Sequence, residues 1–246
     1  MQVHAVRTPQ IVQAGDDLKE ILRGSIDSLP ERSVVAITSK IVSLAQGRVV
    51  STQSIAKHDL IRQEADLYTE PTSSKYDIML TVTQGQLCVN AGIDESNARE
   101  GYVLWPENPQ RVANEVWAFL REVYGVQELG VIITDSRTQP LYWGVIGATL
   151  AHCGFKALNT LIGTPDLYGR EMRMTQESVY QALAVAAVFE MGEGAQQTPI
   201  AVVNDIRSIT FQDRPPTEAE LAALHIELED DVYAPILMKA EWKKVA

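Results

Sequence analysis

The sequence has little cysteine and little positive charge. Cys88 and Cys153 are its two cysteines, and neither lies in a Cys-x-x-Cys motif, so we predict neither a cysteine zinc site nor a disulfide scaffold. Lys and Arg number 21 against 32 Asp and Glu, a net charge of −11. That balance argues against non-specific binding of nucleic acid or of an anionic membrane, which requires a basic face. It leaves nucleotide binding open, because a divalent metal can supply positive charge locally.

Long apolar runs and the common nucleotide motifs are also missing. The longest apolar stretch, residues 183–189, is too short to span a bilayer. Residues 1–15 lack the basic start and apolar run of a signal peptide, so we expect a cytoplasmic protein. Neither a Rossmann glycine fingerprint nor a Walker lysine loop occurs.

The composition is that of a globular protein. Hydrophobic residues make up 46% and charged residues 22% of the 246 residues, enough for a sizeable core. We expect one unit over residues 1–246, with two interleaved subdomains as an alternative, and we treat residues 206–246 as a less defined C-terminal extension. Predicted strands and helices alternate irregularly, which favours an α+β fold with mixed sheets.

Local signals place the main elements. Asp17 and Asn108-Pro109 are typical helix starts, Gly125 a helix end, and Thr217 with Glu220 a capping box. We predict a long helix from Thr175 to about Met191, apolar on nearly every side and therefore central. Buried tryptophans are expected to anchor the packing at Trp105, Trp117 and Trp143. Strands are predicted at residues 33–39, 77–83, 87–89, 131–134 and 200–203.

Two polar clusters follow predicted strands. Residues 90–97 (NAGIDESN) offer carboxylate and amide oxygens that suit a hard cation, although an Asp/Asn/Gly turn explains the same residues. Asp135 and Ser136 end a buried apolar strand, where rigid scaffolds place metal ligands and where such residues also cap the next segment.

Two further clusters contain glycine. Residues 191–194 (MGEG) allow close backbone approach to a ligand, and Glu193 could reach a metal; a glycine helix stop is the alternative. In residues 165–170 (PDLYGR), Arg170 could bind a carboxylate or phosphate, or be a surface arginine in a turn.

Taken in order, these segments resemble the coenzyme F420-0:L-glutamate ligase family over residues 11–205. Three variants, SKIVS, YVLWP and GEGAQQTP, resemble a bacterial branch labelled as folate-metabolism γ-glutamate ligases. The segments that carry the resemblance are GDDL (15–18), TSKIVS (38–43), GR (47–48), NAGID (90–94), SN (96–97), GVIITDS (130–136), DLYGR (166–170) and MGEG (191–194).

The resemblance implies both a fold and a reaction. The fold is an α+β arrangement that forms an intertwined homodimer. The reaction uses GTP and two divalent ions, Mg²⁺ or Mn²⁺, with K⁺ as an additional candidate. The γ-phosphate passes to an acceptor carboxylate, giving an acyl phosphate, and the amine of L-glutamate then attacks to form the amide.

The resemblance also implies roles for particular residues. Asp94 and Asp135 would bind one metal, and Ser136 and Glu193 the second. The residues implied to contact the nucleotide are Pro9, Gln10, Ile11, Val12, Ser39, Lys40, Asn97, Met191, Gly192 and Gly194.

The sequence departs from the family pattern at positions expected to be charged. Leu44 stands where a lysine is frequent, and Gln139 and Tyr142 where arginines are usual. Gln181 replaces a carboxylate. We expect Arg170 and Arg137 to supply the cations that face the transferred phosphoryl group. The alternative is a degenerate relative that binds nucleotide and metal without ligating.

Overall fold

A computed structural model describes residues 1–9, 12–71, 76–96 and 101–244. The strands are β1 (Gln2–Val6), β2 (Ser33–Thr38), β3 (Val49–Ser51), β4 (Leu67–Tyr68), β5 (Leu80–Thr83), β6 (Gln86–Val89), β7 (Gly101–Val103), β8 (Leu129–Thr138), β9 (Val145–Cys153), β10 (Leu158–Thr160), β11 (Gln176–Ser178) and β12 (Ile200–Asn204). The α-helices are α1 (Leu18–Ser25), α2 (Ser39–Ala45), α3 (Lys57–Glu64), α4 (Pro109–Tyr124), α5 (Val179–Met191), α6 (Glu218–Ala222) and α7 (Ala234–Leu237). The predicted α+β class is confirmed.

A five-stranded sheet in the order β1-β12-β2-β8-β9 forms the centre of the molecule. β2 and β8 pair in parallel, and the other neighbouring strands of this sheet pair antiparallel. The inner strands are continuous apolar runs because helices cover both faces. α4 and α1 pack on one face and α5 on the other, giving two apolar clusters separated by the sheet.

Helix α4 forms where its capping signals predict. The Asn108 side chain accepts a hydrogen bond from the Arg111 amide at 3.1 Å, and Pro109 occupies the first helical turn. Gly125 ends the helix at φ 66°, a conformation that glycine adopts without strain. Val112, Val116 and Leu120 form the buried stripe against the sheet.

Helix α5 differs from its prediction in two respects. It begins at Val179 instead of Thr175, because residues 176–178 pair with β10 as a strand before the helix starts. It is also not central: Val185 and Phe189 face solvent with 39% and 83% of their surface exposed. One side packs on the sheet, and the other leaves an apolar stripe uncovered.

A smaller layer of short strands lies beside the main sheet. β4, β5 and β6 form one sheet, and β3 pairs with β7. β5 and β6 form the hairpin predicted around Gln84 and Gly85, and Met79 and Ile61 are fully buried beneath it with α3. This layer carries the turn that presents Asp94.

The C-terminal residues fold back onto both layers. Phe211 bridges to Phe155, and Lys243 bridges to Tyr68 in the small sheet. The capping box predicted at Thr217 and Glu220 is confirmed at the start of α6. Within the residues that the structure describes, no helix is long and apolar enough to cross a membrane.

Two glycines with positive φ give a matched test of packing. A methyl group on Gly154 (φ +82°) would overlap the Leu129 carbonyl oxygen and the Trp117 indole, whereas one on Gly125 (φ +66°) meets open space. Gly125→Ala should lower the free energy of unfolding by about 1–2 kcal/mol, the strain of a left-handed residue. Gly154→Ala should cost a further ~1–3 kcal/mol because of the overlap. Equal losses in urea denaturation would contradict this packing.

His152 predicts a pH-dependent stability. Its ring is buried between Phe155 and Tyr180, and burial lowers its pKa from 6.5 to about 4, against a small opposing effect of Glu220. The unfolded chain therefore binds the proton more readily, so the contribution of His152 is complete above pH 6.5 and lost as the pH falls to 4. When the pH falls from 7 to 4, His152→Phe should lose about 3 kcal/mol less of its free energy of unfolding than the parent loses. Identical pH slopes in urea denaturation would refute it.

Candidate functional site

The parallel pair β2–β8 brings two polar segments together. Thr38 and Thr134 are the last register partners of the parallel pairing, at the carboxyl end of β2. Ser39 and Lys40 begin α2 directly after β2, while β8 continues through Asp135 and Ser136. The carboxyl edge of parallel strands is where open α/β sheets bind ligands.

Asp94 reaches this edge from the small layer. Its backbone exchanges hydrogen bonds of 3.0 and 2.8 Å with Val103. Lys40 Nζ lies 2.6 Å from Asp94 Oδ2 and donates to Ser96 Oγ at 2.9 Å. Burial acts to raise the pKa of Asp94, but the bond and charge of Lys40 and the bonds from Ser96 hold that pKa below its usual value. Asp94 is therefore ionised and paired.

Asp135 lies deeper in the same site. Burial raises the pKa of its carboxyl to about 6, and the negative charge of Asp94 adds to the rise. Hydrogen bonds from the Trp105 indole, the Ser136 amide and the Ser39 hydroxyl oppose it. A cation bound at this carboxylate would offset the free-energy cost of burying its negative charge.

Glu193 completes the acidic group from the end of α5. Gly192 ends the helix at φ 76°, and the chain turns so that Glu193 faces Ser136. Burial raises the pKa of Glu193; Lys40 and the Ser136 hydrogen bond lower it, and Asp94 raises it further. Glu193 therefore lies in the same charged environment as Asp94 and Lys40.

One cavity of about 830 Å³ contains most of the predicted site. Its size is in the range of small-molecule and cofactor pockets. The residues predicted from the sequence that line it are Val12, Ser39, Lys40, Asp94, Asp135, Ser136, Met191, Gly192, Glu193 and Gly194. Gln196 and Thr198 also line it; both lie in the GEGAQQTP segment that carried the resemblance, but the sequence analysis gave neither of them a role.

Other predicted residues lie elsewhere. Pro9 lines a neighbouring cavity of about 240 Å³. Arg137 follows Ser136 on β8, and Arg170 lies in the loop between β10 and β11, where its amide donates to Asp166 Oδ1 at 2.9 Å. Neither arginine lines the large cavity of this chain. Gln10, Ile11 and Asn97 lie outside the described residues.

The predicted tryptophans behave differently from one another. Trp117 is buried, and its indole donates to the Leu129 carbonyl at 2.8 Å, as expected of a packing anchor. Trp143 is 88% exposed at the turn between β8 and β9, so that prediction was wrong. Trp105 is buried but donates its indole N–H to Asp135, a contact that the sequence alone did not indicate.

The chemistry of the side chains fits a hard divalent cation. Carboxylate and hydroxyl oxygens of Asp94, Asp135, Ser136 and Glu193 are the donors that Mg²⁺ and Mn²⁺ prefer. Among the described residues, no three His, Cys, Asp or Glu side chains are grouped closely enough to hold a metal alone. Magnesium sites in phosphoryl-transfer enzymes have this form, with one or two carboxylates and the remaining ligands from phosphates and water.

Comparisons with known proteins place the chain in a family. The family model described as F420-0:Gamma-glutamyl ligase matches residues 5–205. The coenzyme F420:L-glutamate ligase of Methanopyrus kandleri is 34% identical over 226 residues, covering 84% of this chain and 88% of that protein. The Haloarcula marismortui protein of the same name is 35% identical over 226 residues, covering 83% and 87%. The resemblance seen in the sequence is thus confirmed: the chain belongs to the F420-0:γ-glutamyl ligase family of enzymes.

Proposed function

We propose that this chain is a GTP- and divalent-metal-dependent ligase that joins an acceptor carboxylate to the amine of L-glutamate. The observation that carries the proposal is the cavity at the β2–β8 edge, which is lined by Asp94, Asp135, Glu193 and Lys40 and in which Lys40 pairs with Asp94. Membership of the γ-glutamyl ligase family supplies the reaction class.

The proposed reaction has two steps. The acceptor carboxylate takes the γ-phosphoryl group of GTP, with release of GDP, and becomes an acyl phosphate. The glutamate amine then attacks the acyl carbon, loses a proton and expels phosphate. Bound divalent ions, and K⁺ if it is used, would neutralise charge on the phosphates.

The residues of the chain have distinct parts in this proposal. Asp94 and Asp135 would hold one ion, and Ser136 and Glu193 the other. Lys40 donates to Ser96, pairs with Asp94 and lines the cavity, and its ammonium would contact a phosphate oxygen of the bound nucleotide. The cavity walls orient the nucleotide and exclude water from the acyl phosphate, which would otherwise hydrolyse.

Gln196 fills the turn that follows α5. Its Oε1 accepts from the Gly194 amide at 2.8 Å, and its side chain packs where a methyl group on Gly192 would lie. The glycines thus leave room for a polar group against the backbone. A nucleotide that contacts residues 191–194 would therefore also meet the side-chain amide of Gln196.

A second candidate function is binding without ligation. It is favoured by Leu44, which lines the cavity where the family frequently has lysine, and by the neutral Gln139 and Tyr142.

The two candidate functions differ in whether a glutamyl product forms. Purified protein incubated with GTP, Mg²⁺ or Mn²⁺, glutamate and a panel of deazaflavin, folate and simple carboxylate acceptors should yield acceptors heavier by glutamyl units. Nucleotide binding with no product on any acceptor would favour the second candidate.

Removal of either carboxylate proposed to bind the first metal ion should abolish metal-dependent nucleotide binding. Both side chains line the cavity, Asp135 from within β8 and Asp94 from the turn that bridges to Val103, and neither belongs to an apolar core cluster, so Asp94→Ala and Asp135→Ala should still fold. At 100 times Kd, GTP with Mg²⁺ should stabilise the parent by about 2.7 kcal/mol, and neither variant should respond. Asp59→Ala, which breaks a surface pair with Arg62, is the control and should respond fully. A full response from both cavity variants would refute the assignment.

We also propose that the chain forms a homodimer through the outer side of α5. Ala182, Val185 and Phe189 form an exposed apolar stripe on this helix, and monomers rarely leave such surfaces uncovered. The exposed turns that carry Tyr142 and Tyr168 add further apolar surface. The proposed partner is a second copy, as the family resemblance implies and as closed symmetry favours.

The dimer proposal makes a direct prediction. The parent should have twice the 27.2 kDa chain mass in light scattering at micromolar concentration. Val185→Glu with Phe189→Glu should give the monomer mass, because two carboxylates would be buried unpaired in the interface. Glu122→Lys, on the exposed side of α4, should remain dimeric. A monomeric parent would contradict the proposal.

A further inference from the structure

Trp105 forms a contact that the proposed reaction does not yet use. Its side chain is 6% exposed, and its indole N–H donates to Oδ2 of Asp135. Thirty residues separate the two positions in the chain. The contact therefore depends on the tertiary fold and brings the small layer against the edge of the main sheet.

The backbone around Trp105 is held independently of Asp135. The Leu104 amide donates to the Arg48 carbonyl at 3.1 Å, and Arg48 Nε donates to the Trp105 carbonyl at 3.3 Å. Gln84 Nε2 donates to the Pro106 carbonyl at 3.1 Å. Because the backbone is fixed on both sides of Trp105, the indole is a rigid donor to which the carboxylate must adjust.

Gly92 leaves the space that the Trp105 indole occupies. A methyl group built on Gly92 would overlap several atoms of the Trp105 ring, and the residue has φ +70°. Gly92 lies two positions before Asp94, in the turn that presents that carboxylate. One ring thus contacts both the turn that carries Asp94 and the side chain of Asp135.

The hydrogen bonds of Asp135 limit the directions in which it can bind anything else. A carboxylate has about four lone-pair sites. Trp105, Ser39 and the Ser136 amide take up part of this acceptor capacity. Trp105 donates from outside the cavity lining, whereas Asp135 itself lines the cavity, so the acceptor capacity that remains can serve a ligand bound there.

We propose that Trp105 is a positioning residue that orients the Asp135 carboxylate toward a divalent cation, with Gly92 providing the space for its ring. The inference rests on the proposed metal site. Donors that orient metal-binding carboxylates typically matter about 10–100-fold for metal affinity. Trp105 itself would not touch the ion, because its N–H is occupied by Oδ2 and an indole N–H is a donor only.

The test measures Mn²⁺ binding to the full chain by electron paramagnetic resonance with GTP present in every sample, because phosphates are expected to supply the remaining ligands. Trp105→Phe keeps an aromatic ring but removes the N–H, and should weaken Mn²⁺ binding about 10–100-fold. Trp105→His restores a ring donor and should recover part of the affinity. Gly92→Ala displaces the ring from the other side and should also weaken binding. Trp242→Phe, which removes an indole bond to the Leu237 carbonyl far along the chain, should bind as the parent does.

A purely structural role has a different signature. It would lower the melting temperature of Trp105→Phe but leave the Mn²⁺ affinity of the folded protein unchanged, and that result would overturn the inference. Should Trp105→Phe fail to fold, Gly92→Ala makes the same comparison, and parent-like Mn²⁺ affinity in that variant overturns it.

Asp135→Asn separates this inference from the proposed function. Suppose that the parent and Trp105→Phe bind Mn²⁺ equally well and that Asp135→Asn does not bind it. The metal site is then supported and the positioning role of Trp105 fails. If Asp135→Asn binds Mn²⁺ as tightly as the parent, or the parent binds none, both fail.

Discussion

The parallel pairing of β2 with β8 is the constraint on which the rest of the molecule depends. Residues 34–37 and 131–133 are fully buried in this pair, so its register is set by the apolar core on both faces of the sheet. Since parallel strands end at the same edge, the register also decides that Ser39 and Lys40 lie beside Asp135 and Ser136. Apolar burial and the placement of the polar site are consequences of one pairing.

The electrostatics of the site show an excess of negative charge. Asp94, Asp135 and Glu193 share the cavity with Lys40, and the pKa of both Asp135 and Glu193 is raised. Lys40 is closest to Asp94, whose pKa is lowered, so the remaining two carboxylates carry the cost of burial. A site of this charge, in a chain with net charge −11, favours a cationic ligand or a polyanion that arrives with cations.

The departures from the family pattern have different structural contexts. Gln181 accepts a hydrogen bond from the Thr149 amide at 3.0 Å, an interaction that a carboxylate could also make, so the neutral residue keeps a role in holding α5 to β9. Leu44 lines the cavity and makes its wall more apolar at that point. Gln139 and Tyr142 lie at the exposed turn after β8, away from the cavity of the same chain. The neutral residues at these two positions therefore alter the surface of that turn and leave the lining of the cavity unchanged.

The sequence by itself determined features that local interactions control. The cap at Asn108, the stop at Gly125 and the capping box at Thr217 depend on hydrogen bonds within a few residues, and apolar runs marked the buried strands. The ordered motifs identified the family, and the resemblance implied ten residues that line the cavity. Only the tertiary structure decided that Trp105 reaches Asp135, that Arg170 lies outside the cavity of its own chain, and that one side of α5 is uncovered. These depend on contacts between residues far apart in sequence, for which neither periodicity nor a short motif carries a signal.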